Sequence, residues 1–217
     1  AVKTTPTNWA KDAVLKKQIL QALDVTEDQA DLVFTVSVQG HGKYPTEQVL
    51  EDPAITVEKC PDEDYRYAME YYVNQVHEID AFVGELVKEL SQREEKTVLV
   101  LYGDHLPALG LDAADMESSS LYRTEYIIWD NFGLEQQDED LAAYQLSASV
   151  LGRLGITTGL MNGFQQTCRE EPTYWRDLRM LQYDALYGNG FLYGAQGRYA
   201  PTEMKMGMVR IEITGME

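Results

Sequence analysis

The stretch TVLVLYGDHLP, Thr97 to Pro107, decides the fold. Val98 to Tyr102 is an unbroken apolar run, the pattern of a strand covered on both faces by helices. The run stops at Gly103, and Asp104 and His105 follow at once. In an open α/β sheet, functional groups collect on the loops at the carboxyl ends of strands, where the crossovers leave a crevice. A carboxylate oxygen beside an imidazole nitrogen in such a loop suits a divalent metal such as zinc or manganese. Gly103 is expected to turn the backbone so that both side chains face the crevice, instead of pointing to opposite faces as in a continuing strand. A bare GDH triplet is more often a solvated turn than a metal site.

Working upstream, Ala68, Tyr72, Val76, Ile79, Val83, Val87 and Leu90 recur every three or four residues. That spacing predicts a long helix over 64–90, started by Pro61-Asp62 and ended by SQREEK. Before it, DLVFTVSV (Asp31–Val38) reads as a second buried strand, giving a strand–helix–strand crossover with parallel strands. Its loop, QGHGKYP, places His41 between two glycines. If the two strands are parallel, the His41 and Asp104-His105 loops open on the same edge. His41 then suits binding of a phosphate oxygen or protonation of a leaving group, against the alternative of an exposed loop histidine. The third histidine, His77, falls inside the long helix and is explained as a helix-surface residue. A first amphipathic helix is expected over Asn8–Leu23.

Downstream, EYIIW (Glu125–Trp129) predicts another strand, LAAYQLSASVLGRLGI a helix stopped by Gly155, and TYWRDLRMLQYDALYG (Thr173–Gly188) a last helix. From about 190 to 217 a Gly- and Tyr-rich loop and the strand-like MVRIEI complete the chain. The Tyr and Met residues there, with Tyr183 and Tyr187, are expected to pack.

Lys and Arg number 18 against 36 Asp and Glu, a formal net charge of -18 in 217 residues. Such a field repels nucleic acid, and an anionic substrate needs a cation to screen it. Cys60 and Cys168 are the only cysteines and lack metal-site spacing. No apolar run is long enough to cross a bilayer, so the segment is expected to be soluble. Its start and abrupt end read as those of a piece cut from a longer protein.

The succession TVSVQGHGKYP, YYVNQVHEIDAFVGELVKEL, VLVLYGDHLPALG, YRTEYIIWDNFG and LRMLQYDALYG resembles the second half of the catalytic domain of lipoteichoic acid synthases and related phosphoglycerol transferases. These are sulfatase-like members of the alkaline phosphatase superfamily, and the likeness spans nearly all of Thr35 to Gly188. The resemblance implies an α/β fold with a layered sheet of mostly parallel strands flanked by helices, residues 1–217 forming the carboxyl-terminal part of the domain. It also implies that Asp104 and His105 ligate a single metal, manganese first and zinc or magnesium as alternatives, and that His41 holds the substrate phosphate.

The implied reaction is transfer of a glycerol phosphate group from a phospholipid head group, through a covalent phospho-threonine, to a cell-wall polymer or glycolipid. The parent protein would be anchored in the cell membrane with this domain on the extracellular face. The family's threonine nucleophile and a further acidic ligand belong to its first half, and Thr4 and Thr5 do not match that position. The fragment is therefore expected to be inactive alone and to bind metal weakly, with homodimerisation along an exposed strand edge. Competing readings are a sulfatase or phosphodiesterase on the same scaffold, and a noncatalytic homologue that binds cell-wall polymer.

Overall fold

The computed structural model describes residues 3–26 and 29–191. The tail expected from 190 onward, including Tyr193, Tyr199, Met204, Met206, Met208 and MVRIEI, lies almost wholly outside them. The chain forms two compact units, Ala1–Gly133 and Leu134–Glu217.

The first unit is organised on one long helix. Its elements are α1 (Leu15–Leu23), α2 (Arg66–Leu90), β1 (Val98–Tyr102) and β2 (Tyr126–Asp130). A 3-10 turn over Glu63–Tyr65 leads into α2, and the Asp62 carboxylate caps it by accepting from the Asp64 amide at 3.0 Å. The predicted helix over 64–90 is thus present. Its buried face, however, is rotated from the purely apolar stripe. Ala68, Tyr71, Leu86 and Leu90 are buried together with Glu70, Asn74 and Gln75, while Val76 is exposed.

The polar groups are buried because the loops over α2 are held by side-chain bonds. The Glu70 carboxylate accepts from the Val57 amide at 3.1 Å. Asn74 both accepts from the Ile55 amide, at 3.0 Å, and donates to its carbonyl, at 2.7 Å. Each such bond satisfies a group that would otherwise be desolvated and unpaired, at a cost of about 1–3 kcal/mol.

The sheet departs from expectation. β1 and β2 pair antiparallel, from Val98 opposite Asp130 to Tyr102 opposite Tyr126. The run Asp31–Val38 forms no strand and joins no ladder among the described residues, so the predicted parallel crossover is not formed by these elements. Leu32, Phe34 and Val36 are 95%, 75% and 64% exposed, an alternating apolar face. What holds this run is its far end, where Ser37 and Gln39 bond to Asp12 and α2.

Asn131, just past β2, ties the sheet to α2. Its amide donates to the carbonyls of Leu90, Arg93 and Glu95 at 2.9–3.2 Å, and its oxygen accepts from the Thr97 amide at 2.8 Å. The last turn of α2 and the entry to β1 are therefore fixed by one side chain.

The helix expected over Asn8–Leu23 begins later. A 3-10 turn covers Asp12–Val14, and α1 starts at Leu15. Before it, Thr4 bridges Ala10, Asn8 sits at φ 67°, and the Thr5 hydroxyl accepts from the Trp9 amide. Side-chain bonds of this kind compete with helix formation and win here.

The second unit contains α3 (Leu146–Arg153), α4 (Leu160–Cys168) and α5 (Tyr174–Leu186). α3 stops at Gly155, φ 72°, as predicted, and α5 matches the last predicted helix. α4 was not anticipated, because Gly159, Gly163 and Thr167 depress the helical signal. It is fixed by Gln166, which donates to the Ala148 and Ile156 carbonyls at 3.0 Å, and by Phe164 stacked on Tyr174 at 5.4 Å. Tyr183 on α5 and Tyr187 just past its end, expected to pack, are exposed.

Candidate active site

The His41 loop and the GDH loop meet. The imidazole rings of His41 and His105 lie 6.4 Å apart, edge to face at 82°. Asp104 Oδ1 stands 3.8 Å from His105 Nε2. The Asp104 and His105 side chains are 82% and 65% exposed, so the three groups line an open surface. The two loops meet, but not as expected on one sheet edge, because Asp31–Val38 joins no ladder among the described residues.

Both histidines have the same internal arrangement. His41 Nδ1 is 2.7 Å from the Gly42 carbonyl and His105 Nδ1 is 2.9 Å from the Leu106 carbonyl. A carbonyl only accepts, so each Nδ1 carries the proton, and in the neutral ring Nε2 keeps a lone pair. That is the form in which histidine binds a metal through Nε2, with the opposite nitrogen oriented by a second group. The donor set thus fits a divalent cation: one carboxylate and one oriented imidazole, with His41 beside them. Among the described residues no three His, Cys, Asp or Glu side chains converge in a metal-holding geometry.

Gly103 has a role different from the one expected. Its φ is not left-handed; a Cβ there would come within 3.3 Å of the Thr124 side chain. Thr124 Oγ1 donates to the Gly103 carbonyl at 2.7 Å, and the Gly103 amide donates to the Glu125 carbonyl at 3.2 Å. These bonds extend the β1–β2 pairing to the residue before Asp104 and position the carboxylate.

The His41 loop is fixed from beneath. Gln39, 1% exposed, accepts from the Asp12 amide at 2.8 Å and donates to Gln75 at 3.1 Å and Glu78 at 2.6 Å. The buried Asp12 carboxylate accepts from Ser37. Tyr44 closes the loop, donating to the Gly40 carbonyl at 2.9 Å and packing edge-on against Tyr72. Burial, reinforced by Tyr72 and Tyr71, pushes the Tyr44 hydroxyl up from 10.0 to about 12. Trp9 packs on His41 with ring centroids 5.0 Å apart. Sequence reading missed Trp9 because it was placed in a helix; the clue available was an aromatic residue amid the threonines of TTPTNW. His77 is exposed on α2.

A family model described as Sulfatase matches residues 2–156. The chain belongs to the sulfatase family. Its fold is that of the alkaline-phosphatase and sulfatase-like enzymes: a Streptococcus pyogenes phosphoglycerol transferase, GacH, solved in complex with sn-glycerol-1-phosphate, superposes with a TM-score of 0.74 at 19% identity. That match covers 88% of this chain and 52% of the other. A Rhizobium meliloti (strain 1021) protein described as a putative cyclic beta-1,2-glucan modification protein is 24% identical over 225 residues, covering 84% of this chain and 35% of that protein. The chain therefore spans about half the length of the solved relative and about a third of the curated one. No helix among the described residues is long and apolar enough to cross a membrane.

Proposed function

We propose that these 217 residues are the metal- and phosphate-handling part of a phosphoglycerol transferase. The observation that carries this reading is the convergence of His41 on Asp104 and His105, with both imidazoles oriented through Nδ1. It is supported by a fold shared with a phosphoglycerol transferase.

On this reading Asp104 and His105 would hold a divalent metal, manganese in the first instance and zinc or magnesium as alternatives. When bound, the ion supplies positive charge that screens the phosphate and lowers the pKa of an attacking hydroxyl. His41, when protonated, donates from Nε2 to a phosphate oxygen. Its Nδ1–H stays on the Gly42 carbonyl in either charge state, so the ring direction is kept.

The nucleophile is a threonine supplied from outside these residues. Its hydroxyl attacks phosphorus, the bond to the lipid glycerol oxygen breaks, and that oxygen takes up a proton. An acceptor hydroxyl then displaces the threonine. The donor is a phospholipid head group. The acceptor is a carbohydrate hydroxyl, on a cell-wall polymer, a glycolipid or a glucan, a choice supported by what the Rhizobium relative is said to modify. The parent protein works at the extracellular face of the cell membrane, to which it is anchored. A second copy of this chain pairs along the exposed Asp31–Ser37 edge.

The test is to incubate the longer parent protein with manganese, radiolabelled phosphatidylglycerol and a glucan acceptor. Labelled glycerol phosphate on the acceptor is expected, with diacylglycerol released. Release of sulfate from an aryl sulfate, with no transfer of glycerol phosphate, would instead identify a sulfatase.

A further inference from the structure

We propose that Trp9 is a positioning residue for His41: its indole fixes the Gly42 carbonyl that takes the Nδ1 proton, and so keeps Nε2, the nitrogen that donates to phosphate when the ring is protonated, free of that bond. The inference rests on the phosphate-handling role given to His41 above.

Two donors meet on one oxygen. Trp9 Nε1 donates to the Gly42 carbonyl at 3.0 Å, and His41 Nδ1 approaches the same carbonyl at 2.7 Å. A carbonyl oxygen has two lone pairs, so both bonds are satisfied together. The indole N–H therefore pins the very peptide group that sets the tautomer of His41. The indole also packs against the imidazole, with ring centroids 5.0 Å apart and planes at 62°.

Trp9 is itself held rigidly enough to do this. Its carbonyl accepts from the Thr5 amide at 2.8 Å, and its amide donates to the Thr5 hydroxyl at 3.1 Å. The turn is fastened to α2 where the Thr7 hydroxyl meets the buried Tyr71 hydroxyl at 2.7 Å. On the other side, Gln39 anchors the start of the His41 loop to Asp12, Gln75 and Glu78. His41 is thus set between two fixed points, although it is an exposed residue flanked by glycines. A loop histidine in that setting would otherwise sample several rotamers and both tautomers.

The experiment uses the 217-residue chain labelled with ¹⁵N. Long-range ¹H–¹⁵N spectra report the tautomer of each histidine. The unsubstituted chain is expected to show His41 and His105 in the Nδ1–H form. Trp9→Phe should raise the Nε2–H share of His41 about fivefold, the equivalent of one ordinary hydrogen bond, and leave His105 unchanged. An unmoved His41 tautomer would overturn the proposal. An equal shift at His105 would do the same, because it marks general loosening.

Should Trp9→Phe fail to fold, the unsubstituted chain still decides. A nuclear Overhauser contact between the Trp9 indole proton and the His41 ring is required, and its absence overturns the proposal. Titration of the longer parent protein with inorganic phosphate separates the two readings. Silence at His41 there would count against phosphate handling, whereas an unmoved tautomer counts against Trp9.

Discussion

Gln39 and Asp12 are joined by a buried hydrogen bond of 2.8 Å, from the Asp12 backbone amide to the Gln39 side-chain oxygen. Through it the segment carrying Trp9 and the loop carrying His41 become one piece. Gln39 also reaches Gln75 and Glu78 on α2, so that piece is fastened to the longest helix in the unit. The site is therefore assembled by side-chain bonds rather than by a sheet ladder. Its stability should respond to single polar substitutions.

Gln39→Ala should destabilise the first unit by about 1–3 kcal/mol, because it leaves the buried Asp12 amide and the Gln75 oxygen without a partner. Chemical denaturation measures the loss. His41 resonances should broaden in the variant while those of the second unit stay sharp. A change of less than about 0.5 kcal/mol, the range of a neutral surface substitution, would show that the network does not hold the loop.

Asn131→Ala removes three donations, to Leu90, Arg93 and Glu95, and one acceptance from Thr97. The expected cost is about 2–3 kcal/mol, since carbonyls at the end of α2 lose their partner. Amide hydrogen exchange should accelerate at the end of α2 and in β1 before it does elsewhere. Uniform acceleration along the chain would contradict this assignment.

The raised Tyr44 hydroxyl gives a stability change at high pH. Its acid form is favoured in the folded chain, so the folded state binds more protons than the unfolded one between 10.0 and about 12. The contribution is complete below pH 10 and is lost as pH rises towards 12. Thermal unfolding across that window should show the decline, and Tyr44→Phe should flatten it. An equally steep decline in the variant would place its origin in other groups.

Asp104 and His105 are proposed as only part of a ligand set. Micromolar manganese should therefore produce no saturable rise in the unfolding temperature of the 217-residue chain, where tight binding would stabilise it by mass action. In the longer parent protein, Asp104→Ala or His105→Ala should each reduce turnover by about 10²–10³-fold, the scale of losing a preorganised electrostatic contact. A strong saturable stabilisation of the short chain would mean that its metal site is complete.

Self-association should follow from the exposed alternation of Leu32, Phe34 and Val36 on a run that joins no ladder among the described residues. Sedimentation at rising concentration is expected to show a dimer, and Phe34→Lys to weaken it. A monomer at all concentrations would remove the edge-pairing proposal.

The sequence by itself determined the long helix α2 and the runs that became β1 and β2, and it marked His41, Asp104 and His105 as candidate site residues. Each of these is local: apolar periodicity marks an element, and a polar residue after a strand marks a loop. Tertiary structure alone decided that β1 pairs antiparallel with β2 and that Asp31–Val38 joins no ladder among the described residues. It also decided that the buried face of α2 includes Glu70, Asn74 and Gln75. Those outcomes depend on which distant groups satisfy one another, and a polar residue gives no sign in sequence of where its partner lies. The same holds for Trp9, whose indole meets His41 only after the Thr5–Trp9 turn has folded against α2.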